Sequence, residues 1–143
     1  MTQHPAYRDH YYTSSDGRLT LYARDYPAQG EGDHSLPLLM MHGLTRNSAD
    51  FGPLISHLDN ARRMIVADQR GRGLSQHDPA PECYRPDVYA EDMWTLLDSL
   101  SIEKAVLIGT SLGGLMSILM GSAKPERIGG IVLNDIGPEV FEV

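Results

Sequence analysis

Four short apolar runs constrain this chain most. Leu36 to Met41, Met64 to Ala67, Ala105 to Ile108 and Ile131 to Leu133 show no alternation of polar and apolar residues. They end in His42-Gly43, Asp68, Gly109 and Asn134-Asp135. A strand that is apolar on both sides is buried on both sides, and such strands belong to parallel sheets covered by helices. Helical segments fill the intervals. Asn47 or Ser48 caps a short helix over residues 51 to 58. Pro86 suits the first position of a longer one, in which Tyr89, Met93, Leu96, Leu97 and Leu100 share a side. A third helix follows Ser111, with Leu115, Ile118 and Leu119 as its apolar side, and stops at Pro125. Strand alternating with helix predicts an α/β fold: a mostly parallel, doubly wound sheet with right-handed crossovers.

The front of the chain has another period. Asp16-Gly17 marks a hairpin turn. Leu19, Leu21 and Ala23 alternate with Arg18, Thr20, Tyr22 and Arg24, which predicts a strand with one wet face. Residues 1 to 9 read as a loose polar leader without the apolar stretch of a signal peptide. Residues 28 to 35 read as a polar loop, and Arg62-Arg63 as a solvated strand start. A net charge of −7 disfavours nucleic acid and anionic membranes as partners, because both require a basic face. No apolar run approaches the roughly 18 residues of a membrane span. The single cysteine, Cys83, forms no internal disulfide, which fits a reducing, cytoplasmic setting. The histidines are scattered, with no H-E-x-x-H and no cysteine pair, so no metal or other cofactor is expected. Met40, Met41, Met64, Met116 and Met120 read as core filler.

The chemistry concentrates in Gly109-Thr110-Ser111-Leu112-Gly113-Gly114, between an apolar strand and an amphipathic helix. G-x-S-x-G in that setting forms a sharp turn that lifts the serine hydroxyl above the sheet. Gly109 and Gly113 are required because the turn and the helix packing leave no room for side chains. The plain alternative is a glycine-rich turn with Ser111 capping the helix. A nucleotide-binding reading also exists, since Asp135 lies about 20 residues on, as in the dinucleotide fingerprint. However, Ser111 stands where that fingerprint needs its second glycine.

Asp68-Gln69-Arg70-Gly71-Arg72-Gly73-Leu74-Ser75 closes the second buried strand. HGLTRNS, DQRGRGLS and GTSLGG, in this order and spacing, resemble the α/β-hydrolase family, in its single-domain esterase, lactonase and C–C hydrolase branch. The resemblance spans about residues 12 to 143. It implies the sheet order 1-2-4-3-5-6-7-8. It implies Ser111 as nucleophile toward an ester, lactone, thioester or similar activated carbonyl of a small-molecule substrate. The dehalogenase and epoxide hydrolase branches carry aspartate there. It implies an oxyanion hole made by the backbone N–H groups of Leu44 and Leu112. His42 and Gly43 then have structural roles, the His42 ring bonding nearby backbone, and D-x-R-G-x-G-x-S is a structural turn.

The family's triad runs serine, acid, histidine. No histidine follows Ser111; the six are His4, His10, His34, His42, His57 and His77. The resemblance therefore implies a partial domain over residues 1 to 143, truncated after about strand six. The cap, the last strands, the C-terminal helix and the catalytic histidine lie beyond it. Asp135 occupies the place where some branches carry the acid; in branches whose acid comes later, it is structural. The alternative function is a non-catalytic ligand-binding or truncated relative. An open edge at Ile131 to Leu133 predicts self-association through strand pairing.

Overall fold

A computed structural model describes residues 5–29, 35–58 and 62–136. Six strands form one sheet: β1 (Arg8–Thr13), β2 (Thr20–Tyr26), β3 (Leu38–Met41), β4 (Met64–Asp68), β5 (Ala105–Thr110) and β6 (Ile128–Asn134). Their order is β1-β2-β4-β3-β5-β6, which is the order the resemblance implies for the first six strands. β1, β2 and β4 pair antiparallel, whereas β4, β3, β5 and β6 run parallel. Helices α1 (Gly52–His57), α2 (Pro86–Ser99) and α3 (Leu112–Ala123) cover the sheet. Asn47 caps the 3₁₀ turn Ser48–Phe51 ahead of α1, its side chain accepting from the Ala49 N–H at 2.9 Å. Among the described residues no helix is long and apolar enough to cross a membrane.

The unalternating runs are explained by two cores. Leu39, Met41, Ile65, Ala67 and Leu107 point to the side of α2 and α3. Met40, Met64 and Val66 point to the other side, against Phe51 and Ile55. All five methionines read as filler are buried.

Several expectations need correction. The wet face of β2 stops at Thr20, which like Arg18 is exposed: Tyr22 is 2% exposed and Arg24 half-buried. β2 lies inside the sheet, and the stretch read as a leader covers it. The Tyr22 hydroxyl donates to Asp9 at 2.5 Å, and the Arg24 guanidinium lies 4.6 Å from the Tyr7 ring. The leader thus already contains the start of β1. Arg63 is no solvated strand start, since it forms a two-pronged ion pair with the buried Asp25. β6 begins at Ile128, earlier than its apolar run, through Gly129 and Gly130. The buried side of α3 is Gly113, Met116, Ser117 and Met120, whereas Leu115 and Ile118 are half-buried and Leu119 is exposed. Gly113 decides this. A Cβ there would overlap the Met41 carbonyl, so Gly113 is pressed onto β3 and its i+3, i+4 and i+7 neighbours follow it inward. The loop expected over residues 28 to 35 lies partly outside the described residues, as do Gly137 to Val143.

The turn after β4 is held by charge. The Arg70 side chain is fully buried and forms two bonds to Asp92 on α2, at 2.7 and 2.9 Å. It also reaches Asp16 in the hairpin turn and Asp78. The bond from Arg18, with help from Arg70, holds the Asp78 carboxyl well below its ordinary range. Burial pushes Asp16 upward, but bonds from Arg70, Ser14 and Arg18 outweigh it and its carboxyl is also depressed. Three ligand atoms of Asp16, Asp78 and Cys83 lie within 4.8 Å of one another. The two carboxylates are nevertheless taken by arginines, so the cluster is an ion-pair network.

Candidate active site

The strand order creates a crevice before any side chain is considered. From β3 the chain moves one way to β4, then crosses back to β5 on the other side of β3. In open α/β sheets, ligands bind at the carboxyl ends of strands where the winding direction switches. Here that point lies between the ends of β3 and β5, where His42 to Leu44 and Thr110 to Leu112 leave the sheet.

Ser111 stands in the β5–α3 turn at φ +52°, ψ −108°. Such a backbone is strained for a residue with a side chain and persists only where its surroundings enforce it. They do so here. The Ser111 N–H donates to the Asn134 carbonyl at 2.9 Å, and its carbonyl accepts from the Gly114 and Leu115 amides. A Cβ on Gly109 would overlap the Gly113 carbonyl. The Ser111 side chain is exposed, and among the described residues its Oγ makes no hydrogen bond.

His42 is 1% exposed and its ring is fully engaged. Nδ1 lies 2.7 Å from the Gly43 carbonyl, which only accepts, so Nδ1 carries the proton. Nε2 accepts the Gln69 N–H at 3.0 Å. The ring is therefore neutral, and burial lowers its pKa against the opposing Gly43 bond and Asp68 charge. It has no free lone pair with which to take a proton from Ser111. Both ring nitrogens of His42 thus bond nearby backbone.

Gly43 adjoins the serine: a Cβ built on it would lie 3.9 Å from Ser111 Cβ. The β3–β5 register pairs Met41 with Gly109, so the segments carrying Leu44 and Leu112 leave the sheet from neighbouring strands. Among the described residues, neither amide donates a hydrogen bond. The Leu112 N–H lacks an intrahelical acceptor because it opens α3. The Leu44 carbonyl accepts from Arg72 Nε at 3.0 Å. The β5–β6 register ends at the pair Thr110 and Asn134, which Ser111 and Asp135 follow in sequence. Asp135 is exposed at φ +60°, and among the described residues its carboxylate has no partner.

A largely apolar cavity of about 820 Å³ opens beside this turn. Its wall includes Gly43 and Thr110, the neighbours of Ser111, with Phe51, Leu54, Ile108 and Val132. Two contributors escaped the sequence. Asn134 anchors the Ser111 turn through its backbone, which carries no residue signature. Arg72 reaches Leu44 across 28 positions, and nothing in its motif marks it apart from the structural turn.

The pattern of the alpha/beta hydrolase fold matches residues 37–142. The chain is 36% identical over 125 residues to 2-(acetamidomethylene)succinate hydrolase of Mesorhizobium japonicum, covering 87% of this chain and 42% of that protein. It is 32% identical over 125 residues to the esterase YbfF of Escherichia coli, covering 87% of this chain and 48% of that one. A crystal structure of an alpha/beta hydrolase from Novosphingobium aromaticivorans superposes with a TM-score of 0.85 at 45% identity, over 94% of this chain and 46% of the other. The chain thus spans less than half the length of the relatives it matches. Fold, strand order and sequence together establish that the chain belongs to the α/β-hydrolase family.

Proposed function

We propose that this chain carries the nucleophile and oxyanion hole of a serine hydrolase acting on an ester, lactone, thioester or similar activated carbonyl of a small molecule. The observation that carries the reading is the strained, exposed Ser111 beside two unpartnered amides, those of Leu44 and Leu112. Ser111 Oγ forms a bond to the carbonyl carbon and its proton passes to a base. The carbonyl electrons move onto oxygen, where the two amides hold the charge. Collapse breaks the bond to the leaving group, which takes the proton, and an acyl-enzyme remains. Water reverses these steps and frees the acid.

Family membership assigns the base to a histidine later in chain order than Ser111; His42 cannot serve, since both its ring nitrogens are bonded. The relatives, more than twice as long as the matched part, have room for it. Asp135 is the candidate acid within the chain, directly after Asn134, the β6 partner of Thr110. The free thiol of Cys83 supports a cytoplasmic setting. The exposed Ile131 and Val132 support self-association of the 143-residue chain through β6.

The complete protein should hydrolyse p-nitrophenyl esters of short acids, and Ser111→Ala should abolish turnover. Retained turnover in that variant overturns the assignment. One observation favours a ligand-binding protein without catalysis: among the described residues no side chain bonds Ser111 Oγ. That reading requires the cavity to bind a small molecule tightly while Ser111 stays inert toward a fluorophosphonate.

A further inference from the structure

We infer that Arg72 is a positioning residue for the oxyanion hole, holding the Leu44 amide in place for charge that develops on the substrate carbonyl. The inference rests on the serine hydrolase reading above and adds a residue that the D-x-R-G-x-G-x-S motif otherwise leaves as part of a turn.

Leu44 lies in an exposed loop after β3, with its side chain 60% exposed. Packing of that side chain therefore does little to fix the direction of its N–H. The loop is held from outside instead. Arg72 Nε donates to the Leu44 carbonyl at 3.0 Å, and Nη1 of the same guanidinium donates to the Arg70 carbonyl at 2.9 Å. One planar group thus ties the β3 loop to the β4 loop. The second anchor is rigid, since Arg70 is fully buried in bonds to Asp92, Asp78 and Asp16. The Arg72 guanidinium also lies over the Tyr89 ring at 5.1 Å and near the Tyr84 ring at 5.8 Å. These rings restrict the plane in which its donors point.

The bond to the Leu44 carbonyl fixes the peptide that follows the one bearing the Leu44 N–H. Turning the donor away would require breaking that bond or twisting between the two peptides. The fixed positive charge beside the loop acts in the same direction, as it favours negative charge nearby. A donor displaced by about 1 Å costs catalysis on the order of 100-fold.

The test uses the complete protein with a p-nitrophenyl ester, in three forms: unsubstituted, Arg72→Lys and Arg72→Met. Positioning predicts that R72M lowers kcat by about 10- to 100-fold with KM unchanged, because the contact strengthens only as oxyanion charge develops. R72K, which keeps the charge but not the two-pronged planar geometry, should fall between. If R72M does not fold, R72K against unsubstituted protein carries the comparison, with a kcat loss of about 3- to 10-fold expected. Unchanged kcat in the folded variants, or a loss confined to KM, overturns the inference while leaving the serine hydrolase reading intact. An unsubstituted protein that folds but neither turns over esters nor takes a fluorophosphonate on Ser111 overturns both.

Discussion

β4 and β6 are both apolar strands with a parallel neighbour, β4 in the interior of the sheet and β6 at its end among the described residues. Every residue of β4 is buried, and no residue of β6 is. β4 lies between β2 and β3 and is covered on both faces. Among the described residues β6 has β5 on one side only, and Ile131 and Val132 stand 39% and 52% exposed. Apolar sequence therefore makes a strand capable of burial, while neighbours decide whether burial occurs. The site straddles the two regimes. The loops after β3 and β4 hang from a core tied by Arg70, and the Ser111 turn is anchored to Asn134 at the end of the exposed strand.

The largest effect should come from the buried side. Arg70→Met leaves buried Asp92 without its cation, bonded only by Ser15, and should lower unfolding free energy by about 3–5 kcal/mol in urea titration. A cost no greater than that of a β6 surface change would break the contrast. Next, Gly113→Ala forces a Cβ into the Met41 carbonyl and should cost about 1–3 kcal/mol, read the same way.

Acid should act on the same side. Burial keeps the folded His42 pKa below its ordinary value, so below about pH 6.5 the unfolded chain binds more protons than the folded one. The stability this contributes is present above that pH and is lost as pH falls through it. His10, also lowered chiefly by burial, has the same sign. Melting temperature should decline from pH 7 to 5, and His42→Gln should flatten the slope; an equally steep slope would exclude His42 as its source. The depressed Asp16 and Asp78 add a second loss below about pH 4, where the unfolded carboxyls protonate first. The smallest effect belongs to β6. Val132→Thr should change stability by less than about 0.5 kcal/mol. Val132→Lys should reduce self-association of the 143-residue chain in sedimentation velocity, and an already monomeric parent chain would remove that expectation.

What could be read from the sequence follows the same division. Unalternating runs located β3, β4 and β5 because burial on two faces leaves a direct compositional trace. Pro86 and the Tyr89-to-Leu97 spacing located α2 for the same reason. Long-range polar partnerships left almost none. Asp16, Asp78 and Asp92 converge on Arg70 from positions 54, 8 and 22 residues away. One trace existed: Asp92 lies between Tyr89 and Leu96 at helical spacing, a carboxylate on an apolar side that calls for a buried cation. The α3 face departs from the pattern of its large apolar residues because Gly113 and Ser117 allow the close approach to the sheet. The glycine pattern around Ser111 was legible because steric exclusion is local. The Arg72 link to Leu44 was not, because it depends on where two loops meet.

The most direct test of the account is to treat the native protein, as its source produces it, with a fluorophosphonate and map the adduct by peptide mass. The account predicts a single phosphonylated residue, Ser111, with labelling lost in Ser111→Ala. A folded native protein whose Ser111 peptide stays unmodified would contradict it.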